Sequence, residues 1–580
     1  MSMEPTRWVR GDGIDLAVYE AGREGAPTIL FVHGYPDDHS VFGGVMEALA
    51  GDYRVAAYDV RGAGRSGVPT EREAYALEHL VRDLEAVIDA VSGGRPVHLV
   101  GHDWGSIQSW EAVTEPRLGA KIASFTSLSG PCLDHVAIWS RERMQKGAAL
   151  DVAGQAVRSW YIYFFHLPRV PELVWSALAE RFPKMVAASE GTSEFEASPE
   201  ASKNAVNGIE LYRANIAKVM ADPRERRTEI PVQAVLPRGD RYISPEPYSV
   251  LHRFTRETYF RRIHGGHWVL RSEPERVARL VRDLVEHVEG RRSAPLLLRA
   301  RVRPKVRPDE GKLVLVTGAA SGIGRETALA FARRGADVLI ADVDAEGADS
   351  TRLACEAANV RAFVERVDVG DEAAMERFAA KVAEVYGTPD VVVNNAGIGM
   401  AGPLLETSAE DWSKLFSVNV FGVIHGCRLF GKQMRERGEG GHIVNLASMA
   451  AFMPSVILPA YATSKAAVLR LSECLRAELA PYGVGVSAVC PGVIDTPITS
   501  RTRFVGASPD EEAALQARSR ALYAQRAYPP EAVARAIVEA VEKDRAIVSV
   551  SPEAKVFRWL YQLAPKLARG VGRLEFGGDA

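Results

Sequence analysis

Val100-Gly101-His102-Asp103-Trp104-Gly105-Ser106 follows the apolar run 96–100 and precedes an apolar-periodic segment lasting to Val113. A strand, a tight glycine-flanked turn and a helix make a nucleophile elbow, and the residue at its tip here is a carboxylate. A serine in that place attacks acyl carbons. An aspartate suits displacement at a saturated carbon, leaving an alkyl ester whose carbonyl water can then attack. A second group stands far downstream, where Tyr461 and Lys465 lie four residues apart and so share one face of a helix. A reference phenol titrates at about 10, and a neighbouring ammonium favours the phenolate, which makes Tyr461 a candidate base for an alcohol proton.

The elements that must position these groups can be read from the apolar pattern. Residues 26–34 form a buried strand ending in His33-Gly34-Tyr35-Pro36. A strand over 53–60, a helix over 75–91, the elbow strand with its helix and a strand over 122–129 follow. Strands alternating with helices predict an α/β fold with a mainly parallel sheet, whose site lies at the carboxyl ends of the strands, where Asp103 sits. Residues 134–227 turn helical and aromatic, with Trp160, Tyr161, Tyr163, Phe164, Phe165 and Trp175, and read as an inserted cap. Strands over 230–236 and 258–263 and a helix over 273–288 complete a first domain of residues 1–290. Residues 291–311 alternate arginines with apolar residues, Pro304 and Pro308 interrupting any helix, and read as a semi-extended basic linker.

A second start lies at 312–317, a buried strand running into Gly318-Ala319-Ala320-Ser321-Gly322-Ile323-Gly324 and a helix. The glycines let backbone approach a pyrophosphate, which the helix N-terminus attracts. The strand over 337–341 ends at Asp342, placed to bond the ribose hydroxyls of an adenosine and repel a 2′-phosphate; NAD is expected over NADP. Residues 312–553 make this second, Rossmann-type domain. The stretch 498–528 reads as an irregular loop over the substrate. The tail 554–580 interleaves Phe557, Trp559, Leu560, Tyr561, Leu563 and Leu567 with basic residues, fitting either a peripheral membrane contact or docking on its own domain or a sister subunit.

Composition sets the frame. The 580 residues allow two large α/β domains, at a prior of about 150 residues per domain that stretches to about 250. Apolar content of 47% and charged content of 25% are those of ordinary globular proteins. A net charge of −3 suggests no nucleic-acid partner. Cys132, Cys355, Cys427, Cys474 and Cys490 lack metal or disulfide spacing, so no metal and a reducing cytoplasm are expected. No signal peptide is read in residues 1–15, and no run of about 20 apolar residues occurs.

Gly101-His102-Asp103-Trp104-Gly105, His33-Gly34-Tyr35-Pro36, Gly239-Asp240 and Gly266-His267-Trp268 together resemble the α/β-hydrolase epoxide hydrolases. The resemblance implies Asp103 as nucleophile, His267 as base, Asp240 as its orienting acid, and the N–H groups of Tyr35 and Trp104 as an oxyanion hole. It also implies two cap tyrosines that protonate the ring oxygen; Tyr161 and Tyr212 match those contexts, with Tyr163 a neighbouring alternative. Haloalkane dehalogenases share the Asp-Trp-Gly elbow but commonly place an asparagine where this chain has Tyr35, and they remain an alternative.

The second half resembles the short-chain dehydrogenases through its glycine-rich turn, Asn394-Asn395-Ala396-Gly397, Ser417-Val418-Asn419, Ser448, Tyr461-Ala462-Thr463-Ser464-Lys465 and Pro491-Gly492-Val493-Ile494-Asp495-Thr496. That likeness implies that Ser448 holds the substrate oxygen, Lys465 also binds the nicotinamide ribose, Asn419 keeps a relay water, Asp368 and Val369 contact adenine, and Thr496 touches the carboxamide. It also implies a homo-oligomer. The order of the halves resembles the bifunctional mycobacterial epoxide hydrolase D group. The expectation is an epoxide-to-diol step coupled to alcohol oxidation on a lipid-like substrate, the alternative being that one half is a non-catalytic binding or dimerisation module.

Overall fold

The computed structural model describes residues 4–178, 181–192, 198–304, 306–526 and 528–571. It divides into two units, 1–303 and 304–580. The first is built on eight strands: β1 (Arg7–Arg10), β2 (Asp15–Gly22), β3 (Thr28–Val32), β4 (Arg54–Tyr58), β5 (Val97–His102), β6 (Ile122–Leu128), β7 (Val232–Pro237) and β8 (Thr258–Ile263). They lie in the order β1-β2-β4-β3-β5-β6-β7-β8. From β4 to β8 neighbours are parallel, while β1 and β2 add an antiparallel edge. That edge was not legible in the sequence: β1 buries only Val9, and the buried run 16–19 of β2 is too short to stand out. β3 and β5 are buried along their whole length, as central strands covered on both faces should be.

The cap is inserted between β6 and β7, and its described helices run from Leu133–Gln145 to Ala201–Ala221. The basic segment read as a linker divides instead between the units. Pro295–Ala300 is a short helix burying Leu297 against Tyr259 and Leu284 of the first unit, and the Val302 N–H donates to the Thr258 carbonyl at 2.7 Å. Arg307 donates to the carbonyls of Ala358 and Asn359 in the second. Burying Leu297 gains more than an extended connector would.

The second unit holds a seven-stranded parallel sheet. Its strands are β9 (Leu313–Thr317), β10 (Asp337–Asp342), β11 (Ala362–Arg366), β12 (Val391–Asn394), β14 (Gly441–Leu446), β15 (Val484–Pro491) and β17 (Ile547–Val550), ordered β11-β10-β9-β12-β14-β15-β17. The sheet order reverses beside β9, the topological switch where open α/β sheets bind ligands. The short pair β13 (Met400–Ala401) and β16 (Arg503–Phe504) stands apart. The stretch expected to be an irregular loop contains the helix Pro509–Arg526. Its alanine, glutamate and arginine content favours helix, but without an apolar face it carries no periodic signature. The tail forms the helices Pro552–Leu563 and Pro565–Val571. It docks on its own unit through the fully buried Ala554, through Phe557 and through Arg558, which donates to the Ile547 carbonyl at 2.9 Å. No helix among the described residues is long and apolar enough to cross a membrane.

Candidate active sites

Asp103 sits between β5 and the helix Trp104–Thr114 at φ 51° and ψ −122°, a conformation that costs a non-glycine residue about 1–3 kcal/mol. The turn is over-determined: the Asp103 N–H donates to the Leu128 carbonyl at 3.0 Å, and its own carbonyl accepts from the N–H groups of Ser106 and Ile107. Gly105 is required because a Cβ there would lie 1.9 Å from the Val32 carbonyl oxygen. The strained bend lifts the carboxylate to the strand ends.

Around it the expected partners converge. The Tyr35 N–H donates to Asp103 Oδ1 at 2.8 Å, so one carboxylate oxygen already lies where an oxyanion would be held. Trp104 supplies the first N–H of the helix. Asp103 Oδ2 faces His267 Nε2 at 3.6 Å, and His267 Nδ1 donates to Asp240 Oδ2 at 3.0 Å. Asp240 Oδ1 accepts from the N–H groups of Tyr242 and Ile243, leaving its acid fixed on the histidine. Burial alone would depress the His267 imidazole, but the Asp240 and Asp103 carboxylates outweigh it and lift it to about 10. The two acids thus favour the charged form of the imidazole, one cation shared between them.

Tyr161 and Tyr212 come from the separate cap helices Trp160–Phe165 and Ala201–Ala221, their rings 5.8 Å apart. Tyr212 also packs edge-on to Trp104 at 5.0 Å and to Tyr35 at 5.3 Å. Burial, followed for Tyr161 by the charge of Asp103 and for Tyr212 by that of Tyr161, holds both phenols well above their ordinary value, so both remain protonated donors. Tyr163 is 69% exposed and leaves the site, because two residues along a helix turn the side chain to the opposite face. The Tyr35 hydroxyl is engaged with the Ala205 carbonyl at 3.0 Å. His102, absent from the expected set, is buried and donates from Nε2 to the His267 carbonyl at 2.9 Å; burial drops its imidazole to about 4.

In the second unit a cavity of about 440 Å³ runs over the strand ends. Gly318, Ser321, Gly322, Ile323, Asp342, Asp368, Val369, Asn395, Ala396, Gly397, Ser448, Tyr461, Lys465, Pro491, Gly492, Val493 and Thr496 all line it. Gly324 does not; it lies beneath the turn, where a Cβ would fall 2.1 Å from the Gly318 carbonyl oxygen. Asn395 ties the turn down, its Nδ2 donating to the carbonyls of Thr317 and Gly318. The Asp342 carboxylate accepts from the N–H groups of Ala320 and Asp344, which fixes it at the cavity wall with lone pairs to spare for hydroxyls. A glycine-lined turn and a helix N-terminus supply the donors, and a fixed acid the acceptor, that a dinucleotide needs.

One residue gains a structural role and one expectation changes. Asn419 is fully buried in a π-helical turn, Ser417–Phe421, and its side chain bonds both the N–H and the carbonyl of Ile398 as well as Ser464. Its amide thus braces the cavity wall. The Tyr461 phenol is pushed up to about 12 by burial and by Tyr523, with only Ser448 opposing. Lys465 Nζ lies 5.8 Å from the Tyr461 ring centre and donates to the Leu446 carbonyl; burial lowers it to about 8. Burial therefore dominates the ionisation of the phenol. Tyr523, from the unforeseen helix, also lines the cavity.

Comparison with known proteins agrees with this architecture. Residues 27–274 match the family described as alpha/beta hydrolase fold, and residues 312–504 the short chain dehydrogenase family. The "probable oxidoreductase EphD" of Mycobacterium tuberculosis is 40% identical over 576 residues, covering 97% of both chains. An L-2,3-butanediol dehydrogenase of Corynebacterium glutamicum is 41% identical over 188 residues, 32% of this chain and 72% of that one. A solved short chain dehydrogenase/reductase from Burkholderia phymatum, in complex with NAD, is 32% identical with a TM-score of 0.42, covering 46% of this chain and 97% of that one. The chain belongs to the EphD family of enzymes, in which an α/β-hydrolase fold precedes a short-chain dehydrogenase.

Proposed function

We propose that the first unit hydrolyses epoxides to vicinal diols through an Asp103 ester and that the second oxidises a secondary alcohol with NAD. The observation carrying the first half is the pair of buried, protonated cap phenols, Tyr161 and Tyr212, gathered with Trp104 at the Asp103 elbow. An alkoxide is too poor a leaving group to depart without such donors. Halide release needs no proton, so the same phenols count against a dehalogenase.

Asp103 Oδ2 attacks a ring carbon, the carbon–oxygen bond breaks, and a phenol gives its proton to the departing oxygen. The charged His267 then returns a proton to the phenolate and becomes a neutral base. It takes a proton from water as the water attacks the ester carbonyl, the N–H groups of Tyr35 and Trp104 holding the oxyanion, and collapse frees the diol and the Asp103 carboxylate. Esterification removes one of the two charges that keep His267 protonated, so the base appears only when it is required.

In the second unit NAD, when bound, supplies the hydride acceptor. Tyr461 takes the alcohol proton, Ser448 orients the alcohol oxygen, Lys465 holds the ribose, and Asp342 selects the unphosphorylated adenosine ribose. That a relative sharing this half is named for a vicinal diol supports a diol, the product of the first unit, as substrate. The aromatic cap favours lipid-like epoxides. Brief exposure to a lipid epoxide followed by mass spectrometry should find an adduct on the Asp103 peptide. In heavy-oxygen water a single turnover should label that carboxylate; label passing straight into the diol overturns the covalent route. With NAD added, free diol accumulating without reduced cofactor overturns the coupling.

A further inference from the structure

His267 is carried by a loop whose neighbouring backbone groups are held from the cap. The cap helix Phe182–Glu190 ends at Glu190, whose Oε2 accepts from the Gly266 N–H at 3.0 Å and whose Oε1 accepts from the Trp268 N–H at 3.1 Å. One carboxylate thus grips the residue on either side of the histidine. Gly266 is fitted to this grip, since a Cβ there would fall 2.2 Å from Glu190 Oε1. Phe182, at the other end of the same helix, packs edge-on to the Trp268 ring at 5.6 Å.

A second cap helix, Ala149–Arg158, holds the acid loop in the same manner. Gln155 Nε2 donates to the Tyr242 carbonyl at 2.9 Å, and Gln155 Oε1 accepts from the Ser244 N–H and hydroxyl at 3.0 and 2.8 Å. Arg158 donates to the Asp240 carbonyl at 2.9 Å. This helix leads directly into Trp160–Phe165, which carries Tyr161. Loop and cap are joined by part-buried hydrogen bonds and, between Gln155 and Ser244, by buried ones, where losing one partner leaves the other unsatisfied.

We infer that Glu190 and Gln155 are positioning residues through which seating of the cap assembles the Asp240–His267 pair. The part of the molecule that brings the proton-donating phenols also sets the base that acts after them. An unseated cap leaves a nucleophile on a rigid bend but no correctly aimed histidine, so ester can form faster than it is cleared. The inference rests on the covalent reading of the first unit, and it separates the two chemical steps: ester formation depends on Asp103 and the phenols, ester hydrolysis on His267.

Rapid-quench mass spectrometry of the Asp103 peptide during turnover of an epoxide reads both steps. Glu190→Ala is expected to slow ester hydrolysis about 100-fold, the scale on which a misplaced catalytic group loses rate, while ester formation changes less than about threefold. The adduct should therefore accumulate. Glu190→Gln keeps one acceptor oxygen and should fall between, and Gln155→Ala should act in the same direction. Equal loss in both steps, or none in either, overturns the proposal. Should wild type form no ester at all, the covalent reading is what fails, and the latch is judged by hydrogen exchange of the peptide 264–270. Slow exchange that becomes fast in Glu190→Ala sustains it, and exchange already fast in wild type overturns it.

Discussion

The hydrolase site and the dehydrogenase site differ in how much of their chemistry is assembled by the chain alone. In the first, the one cation sits between two acids: Asp103 and Asp240 flank a histidine lifted to about 10, and one carboxylate oxygen already accepts the Tyr35 N–H. In the second, a lysine lowered to about 8 and a phenol raised to about 12 border a cavity of about 440 Å³. The covalent mechanism proposed for the first needs only groups the chain encodes. A cofactor mechanism leaves part of the electrostatic balance to the cofactor, and burial favours the protonated form of the Tyr461 phenol.

The contrast can be broken most directly by exchanging losses. Asp103→Asn should cost about 10⁴-fold or more in epoxide hydrolysis and leave alcohol oxidation untouched, while Tyr461→Phe should do the reverse; a rate assay of each activity in each variant decides it. A variant that silences both would mean that the two sites are not independent. Next in size, Tyr161→Phe and Tyr212→Phe should each slow ester formation about 10- to 100-fold while leaving ester hydrolysis intact, since the phenols serve only the departing oxygen. Single-turnover kinetics read the split.

The pH dependence sharpens the comparison further. A charged nicotinamide beside Tyr461 should bring the midpoint for alcohol oxidation well below 12, with the rate rising toward alkaline pH as the phenol ionises. Lys465→Met removes the second cation and should move that midpoint up by about one to two units, read from kcat against pH. The smallest effect is on cofactor choice. Asp342→Ala should narrow the preference for NAD over NADP by about tenfold, measured as the ratio of kcat/KM values, because the repelling charge is gone while the glycine-rich turn remains.

How much of this could be read from sequence follows the range of the interactions concerned. The Asp103 elbow and the Tyr461–Lys465 pair announce themselves by residues within five positions, even though Leu128 and Val32 help to fix the elbow, and they were legible along with the strand and the helix that carry them. Choosing Tyr161 over Tyr163 required the orientation of one short helix. Glu190 carries no local signature; it matters only because the chain brings it to Gly266 and Trp268, more than seventy positions away. Asn419 was found by its motif, yet the motif could not say that its amide would be consumed by Ile398. The helix Pro509–Arg526 and the buried Leu297 were hidden for opposite reasons, one having no apolar face and the other being flanked by arginines.

The C-terminal helices begin inside the domain rather than beyond it. Ser551, at φ 93°, turns the chain into Pro552–Leu563, and Glu553 Oε1 accepts the Val493 N–H at 3.1 Å, bracing the segment Pro491-Gly492-Val493 that walls the dinucleotide cavity. A gene product ending before Pro552 would therefore keep all its expected catalytic side chains and still lose a strut of its nucleotide wall. Trimming from this end is an operation on cofactor affinity.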